Sequence, residues 1–191
     1  MAATTVPAYV TLDAFYRMDD LPEWGAELAN GEVIVTPPPA PDHGYLARAL
    51  FRALDSHVVA RALGEVFGDG FGYELPVPGR PDTYRTPDAS FVRAGRIPHP
   101  RPRRALALAP DLAVEVRSPS DTPRVLAGKL ADYLDAGTAL VWVVDGDART
   151  AEVHAPGAPV RVLGESDALD GGAVLPGFTL PLARLFAELD D

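Results

Sequence analysis

The 191-residue chain has no cysteine and only one lysine, Lys129. Without cysteine, disulfides, thiolate metal sites, iron–sulfur clusters and a cysteine nucleophile are excluded. No apolar run approaches the ~18 residues that cross a bilayer, and the first ten residues lack the basic start and apolar stretch of a signal peptide. A cytoplasmic protein without a membrane partner is therefore expected. The four histidines, His43, His57, His99 and His154, show no i,i+4 pair, which disfavours zinc. The glycine-rich residues 68–72 precede a strand pattern, not a helix, and lack a Lys-Ser/Thr ending, so they do not read as a nucleotide cradle. Neither Ser90 nor Ser118 sits in a nucleophile elbow, which argues against a serine hydrolase.

Positive charge is scarce too. Seventeen basic side chains against 27 acidic ones leave a net charge of −10. Sequence-independent binding to phosphates is driven by clustered Lys and Arg, so this balance argues against a general nucleic-acid coat protein. Any polyanion must be met locally, by a basic patch or a metal.

What is present is the composition of a globular protein, 47% hydrophobic and 23% charged, and the length predicts one domain over residues 1–191. Thr11 caps a short helix over 11–18, and Asn30-Gly31 predicts a hairpin within 23–36, with Glu27 inside a strand. Leucines at 46, 50 and 54 predict a helix over 42–63, closed by Gly64 as its C-terminal cap. Strands are predicted at 65–67, 71–77 and 88–92, followed by a Pro/Arg-rich connector over 93–104. Residues 111–117 read as a strand ended by Ser118-Pro119-Ser120-Asp121, and 122–136 as a helix started by Thr122-Pro123 and followed by Gly137. The apolar run 139–144, strands near 150–155 and 159–163, a short strand after Leu175 and a helical end at 181–188 complete the chain. The strand–helix–strand unit over 111–144 requires parallel strands, whereas the rest is hairpin-like. The fold class is therefore α/β (α+β), a mixed β-sheet core flanked by helices, with an N-terminal β-hairpin.

Three acids fall in or beside strands among apolar neighbours: Glu27, Asp88 and Glu115. A charge in a half-buried strand costs several kcal/mol of desolvation, on the order of magnitude seen for buried ions, unless it is paired or binds a metal. Glu115 is the sharpest case, and a salt bridge with Arg117, two residues on and on the same face, competes with a functional role. Taken alone, Asp88 reads equally as a turn or cap residue, and Glu27 as half of a cross-strand ion pair. Lys129 flanks the apolar stripe of the 122–136 helix, where its stem can lie along the sheet and its ammonium reach the strand end carrying Glu115. A snorkelling surface lysine is the bland alternative. Arginine fills every other basic position, and a site that needs a tunable amine or a compact point charge would resist that bias.

Several segments carry a resemblance: 27–32 (ELANGE), 87–92 (PDASFV), 110–121 (PDLAVEVRSPSD), and Lys129 followed by Tyr133 and Gly137. Together they resemble the Uma2-type family of restriction-endonuclease-like proteins, a branch of the PD-(D/E)XK nuclease superfamily, over roughly residues 9–178. The resemblance implies a restriction-endonuclease-like fold and a metal site of Asp88, Glu115 and the Val116 carbonyl, supported by Glu27. The superfamily's lysine normally stands two residues after the second acid. Here that position holds Arg117, a poor proton acceptor, and the resemblance places the lysine on the following helix, at Lys129. Oxygen ligands suit Mg²⁺ or Mn²⁺, which would polarise a scissile phosphate of DNA and acidify a water, while Lys129 orients that water or stabilises developing charge. The arginine-rich connector, with Arg101, Arg103 and Arg104, together with Arg117 and His43, supplies candidate substrate contacts; a solvated loop balancing an acidic body is the other account of the connector. Analogy with the superfamily extends the expectation to a homodimer.

Two functions follow. One is a Mg²⁺-dependent endodeoxyribonuclease with Glu27, Asp88, Glu115 and Lys129 as its catalytic set. The other is a catalytically inactive binding or assembly module on the same fold, its site an ion-pair cluster. The net charge favours the second, the intact acidic set with its lone lysine the first.

Overall fold

The computed structural model describes residues 9–22, 25–35, 37–118 and 121–190. Of the predicted hairpin, Glu23, Trp24 and Thr36 lie outside these, as do Pro119 and Ser120 after the predicted 111–117 strand. In chain order the elements are α1 (Leu12–Phe15), β1 (Glu27–Ala29), β2 (Glu32–Ile34), α2 (Pro41–Arg61), β3 (Gly64–Gly68), β4 (Tyr73–Glu74), β5 (Tyr84–Arg85) and β6 (Ala89–Arg93). There follow β7 (Leu112–Val116), α3 (Pro123–Asp135), β8 (Leu140–Asp145), β9 (Thr150–His154), β10 (Arg161–Leu163), β11 (Ala168–Asp170), β12 (Thr179–Pro181) and α4 (Leu182–Phe186). No helix of the described residues is long and apolar enough to cross a membrane.

A six-stranded mixed sheet, ordered β10-β9-β8-β7-β6-β3, forms the centre. Only β7 and β8 run parallel, as the crossover through α3 demands. Its N-cap is Thr122, whose hydroxyl accepts from the Val125 amide. On one face of the sheet, Leu46, Leu50, Leu54 and Val58 of α2 pack with Phe91, Val114, Val116, Trp142 and the C-terminal Phe178 and Phe186. On the other face a smaller core gathers Tyr73, Val92, Ala113, Tyr133 and Val141. All five residues of β7 are buried, so alternate side chains enter both cores, and Glu115 shares the α3 side with Ala113.

The N-terminal hairpin belongs to a four-stranded sheet, β2-β1-β5-β4. Asn30 (φ 51) and Gly31 (φ 78) both adopt the left-handed region that a tight two-residue turn requires. β5 had no counterpart in the periodicity, because two residues cannot show a period, yet it ties β1 to β4. β11, paired with β12, was likewise not anticipated. The predicted strand 71–77 shrinks to Tyr73–Glu74, before the prolines at 76 and 78, which have no amide to donate.

Gly64 is not the cap of α2. The left-handed cap is Ala62 (φ 51), whose amide bonds the carbonyls of Val58 and Val59. Gly64 instead opens β3, where a Cβ would meet the Val92 carbonyl oxygen at 2.1 Å. Accordingly, Ala62→Gly is expected to raise the unfolding free energy by about 0.5–1 kcal/mol, since only glycine adopts that region without steric cost. Gly64→Ala is expected to lower it. Urea denaturation of the two variants checks both signs.

Candidate active site

The antiparallel register Ala89↔Val114 places Asp88, one residue before β6, opposite Glu115 near the C-terminal end of β7. Asp88 Oδ2 accepts the Val116 amide at 2.6 Å and lies 3.2 Å from His43 Nε2, in the first turn of α2. Glu115 Oε2 accepts from Lys129 Nζ at 2.8 Å and Oε1 from the Tyr133 hydroxyl at 2.8 Å. Lys129 and Tyr133 are four residues apart on α3 and so meet the same strand. Glu27, from β1, stands 3.6 Å from the same ammonium. Glu27, His43, Asp88, Glu115 and Lys129 line one cleft of about 100 Å³ together with Asp69 and Asp121, with Tyr133 buried behind it.

Behind the cleft, charges alternate in sign through the interior. Arg85 of β5 donates to Glu27 Oε2 at 2.9 Å and to Asp132 Oδ2 at 2.6 Å, and is itself buried. Asp132 is 1% exposed and also accepts from Arg80, which reaches Asp135 as well. The Thr86 amide donates to Glu27 Oε1 at 3.0 Å. Glu27 is thus held by Arg85 and Thr86 and not drawn toward Asp88. Among the described residues, no three histidine, aspartate or glutamate side chains stand close enough to cage a metal ion.

The balance of charge is uneven. Burial raises the Glu115 carboxyl most; Lys129 pulls it back, but Asp88 and Glu27 push further, and it is left at about 7. Burial works to strip the proton from Lys129, yet the charges of Glu115, Glu27 and Asp88 outweigh it and hold the amine protonated, above its ordinary value. This lysine is therefore a fixed cation and not an amine tuned toward neutrality. Burial opposes ionisation of Glu27, while Lys129 and Arg85 keep its carboxyl below the usual range. Burial also opposes protonation of His43, but its bond to Asp88 wins and raises the imidazole.

A family model described as "Putative restriction endonuclease", Uma2, matches residues 12–183. The chain belongs to the Uma2 family. The fold is also that of a crystal structure described as a putative nuclease belonging to DUF820, from Anabaena variabilis, with a TM-score of 0.84 at 22% identity, covering 94% of this chain and 99% of that one. No curated protein matches the chain.

Within this Uma2 chain, the structure gathers Glu27, Asp88, Glu115, Val116, Lys129 and His43 around one cleft. The Arg117–Glu115 ion pair is not formed: Arg117 turns to Asp145 at the end of β8, at 2.7 Å, and Lys129 takes its place. Arg101, Arg103 and Arg104 do not line the acidic cleft; Arg101 pairs with Glu65, and Arg104 lies 4.8 Å from the centre of the Tyr16 ring. Sequence reasoning missed Arg85 and Asp132. Asp132 carried no local signal, because it sits about 100° around α3 from Tyr133 and outside the apolar stripe. Arg85 carried none without knowledge of β5.

Two measurements probe this network. Arg85→Met strands two buried carboxylates and is expected to cost about 3–5 kcal/mol of unfolding free energy, by denaturant titration. The pH dependence follows from Glu115, which holds its proton to about pH 7 when folded but releases it near the ordinary 4.5 when unfolded. Its stabilisation is present below pH 4.5 and is lost as pH rises through 7, by up to about 3 kcal/mol. In EDTA, wild type should therefore lose stability relative to Glu115→Gln between pH 5 and 7.5; parallel profiles would contradict the buried, raised carboxyl.

Proposed function

We propose that this chain is a divalent-metal-dependent nuclease that hydrolyses phosphodiester bonds of DNA. Asp88 and Glu115 are its metal ligands, Glu27 the supporting acid and Lys129 the catalytic cation. The observation that carries this reading is the surplus of buried negative charge: three carboxylates from three separate strand regions face one ammonium, and Glu115 is left with a carboxyl raised to about 7. Such a cleft attracts a cation.

The donor set fits a hard, hydrated one. Mg²⁺ and Mn²⁺ prefer oxygen, and Mg²⁺ typically takes one or two carboxylates and keeps several waters. A cleft of about 100 Å³ has room for an ion and several waters. Asp88, Glu115 and the Val116 carbonyl would hold the ion, which when bound would polarise a phosphate oxygen and acidify a water. The remaining roles belong to the chain's own groups. Lys129 stays protonated, so it donates hydrogen bonds to charge developing on the phosphate and does not act as a base. Glu27 and Glu115 hold that ammonium from two sides, Tyr133 fixes the second oxygen of Glu115, and His43 with the Val116 amide orients Asp88.

A specific observation also favours the alternative, a non-catalytic module on the nuclease fold: each of the three acids has a basic partner, Arg85 for Glu27, His43 for Asp88 and Lys129 for Glu115. Metal response separates the two. On the nuclease reading, Mg²⁺ or Mn²⁺ raises the melting temperature, by the equivalent of about 2.7 kcal/mol at a hundredfold excess over Kd, and Asp88→Asn or Glu115→Gln abolishes the gain. Lys129→Met keeps the gain but lowers the rate of DNA cleavage by about 10²–10³. A wild-type chain indifferent to both metals and inert on DNA would leave only the binding module.

A further inference from the structure

A second, larger cleft of about 600 Å³ runs between the middle and end of α2 and the C-terminal segment, away from the acidic site. Ala49, Ala53 and Ser56 line its α2 side, and Phe178 and Leu185 the other. Arg52 and Arg61 of α2 and Arg184 of α4 also line it, and all three are exposed. Most arginines of this acidic chain are tied to carboxylates: Arg80 and Arg85 to Asp132, Arg96 to Asp111, Arg117 to Asp145 and Arg149 to Asp190. Arg52, Arg61 and Arg184 pair with no carboxylate among the described residues. The one acid in the cleft, Glu188, is engaged by Arg48 at 3.6 Å. Three unmatched guanidinium groups around one concavity, in a chain of net charge −10, form a local site for an anion with several charges.

We infer that this cleft binds the phosphodiester backbone of DNA flanking the acidic site, an inference that rests on the nuclease reading. α2 supplies the ruler. His43 in its first turn lines the acidic cleft, and Arg52 and Arg61 follow nine and eighteen residues later, about 14 and 27 Å along the axis at ~1.5 Å per residue. One strand of duplex DNA carries a phosphate every ~3.4 Å of axis, so phosphates about four and eight steps from the scissile one fall at these distances. A small cavity lined by His43, Leu46, Val116 and Leu189 shares His43 and Val116 with the acidic cleft and ends beside Glu188 of the arginine cleft in sequence. The guanidinium fork suits phosphate oxygens, and the contacts would add affinity without reading sequence.

The test compares the full-length chain with and without Arg52→Ala, Arg61→Ala and Arg184→Ala together, both in the Glu115→Gln background so that no DNA is cut. Fluorescence anisotropy with a labelled 20-base-pair duplex should show at least a tenfold loss of affinity in the triple variant. The slope of log K against log salt should become shallower by about 2–3, at ~0.9 per phosphate lost. Binding of a 6-base-pair duplex, which at ~3.4 Å per step reaches Arg52 but not Arg61 from the acidic cleft, should weaken less than that of the long duplex, and an unchanged melting temperature shows that the fold is intact. Equal affinity and slope for the long duplex would overturn the inference, as would a triple variant altered only in self-association by sedimentation, which would assign the cleft to a second copy of the chain. Cleavage by the chain with Glu115 intact is scored separately. A wild type that cuts DNA while the arginines prove irrelevant sinks only the cleft; one that binds through them but never cuts sinks only the nuclease reading.

Discussion

Burial of the Glu115 carboxylate in the middle of a sheet whose two faces are both covered is the constraint around which this molecule is arranged. An isolated carboxylate in such a place is untenable, so the surrounding elements must bring compensating groups to it. α3 delivers Lys129 and Tyr133 one helical turn apart, and the crossover from β7 to the parallel β8 holds that helix over the strand. The compensation then propagates. Lys129 is shared with Glu27, Glu27 requires Arg85, and Arg85 requires Asp132, itself on α3, so the sequence of charges closes back on the helix where it began.

This closed arrangement gives the cleft two properties that usually conflict. It is held firmly, because Glu27, Asp88, Glu115 and Lys129 each have at least one partner of opposite sign from another element. It is also left negative, because Lys129 serves two carboxylates at once while Asp88 is met by an imidazole and a backbone amide. A pocket that is firmly held, oxygen-lined and short of positive charge is a place where a hard cation gains most. The arginine cleft farther along α2 inverts the pattern: there the cations lack carboxylate partners and the walls carry apolar side chains such as Ala49, Ala53, Phe178 and Leu185. One helix thus runs from a surplus of negative charge to a surplus of positive charge.

The parts of the fold that could be read in advance share one feature: a long enough run to show a period or a strong local cap. Leu46, Leu50 and Leu54 mark α2, Thr122-Pro123 starts α3, Asn30-Gly31 turns the hairpin, and the apolar run near 139–144 becomes β8. Where the signal was short, tertiary context decided. β5 and β11 are strands only because partners lie alongside them, and the end of α2 fell to Ala62 because Gly64 was needed where β3 and β6 approach closely. Arg117 and Lys129 show the same limit for chemistry. Both could be directed at Glu115 by local geometry, and only the position of Asp145 on the neighbouring strand shows why the arginine turns away.

From its order of residues alone, this chain determines its fold class, the positions of its misfit carboxylates and the singularity of its lysine, because hydrophobic period and the expense of burying charge act locally. Only the folded molecule decided which cation meets which acid, that Arg85 and Asp132 stand behind the cleft, and that Arg52, Arg61 and Arg184 share a second one. Those pairings join residues dozens of positions apart, and a Coulomb interaction depends on separation in space, which no local pattern records.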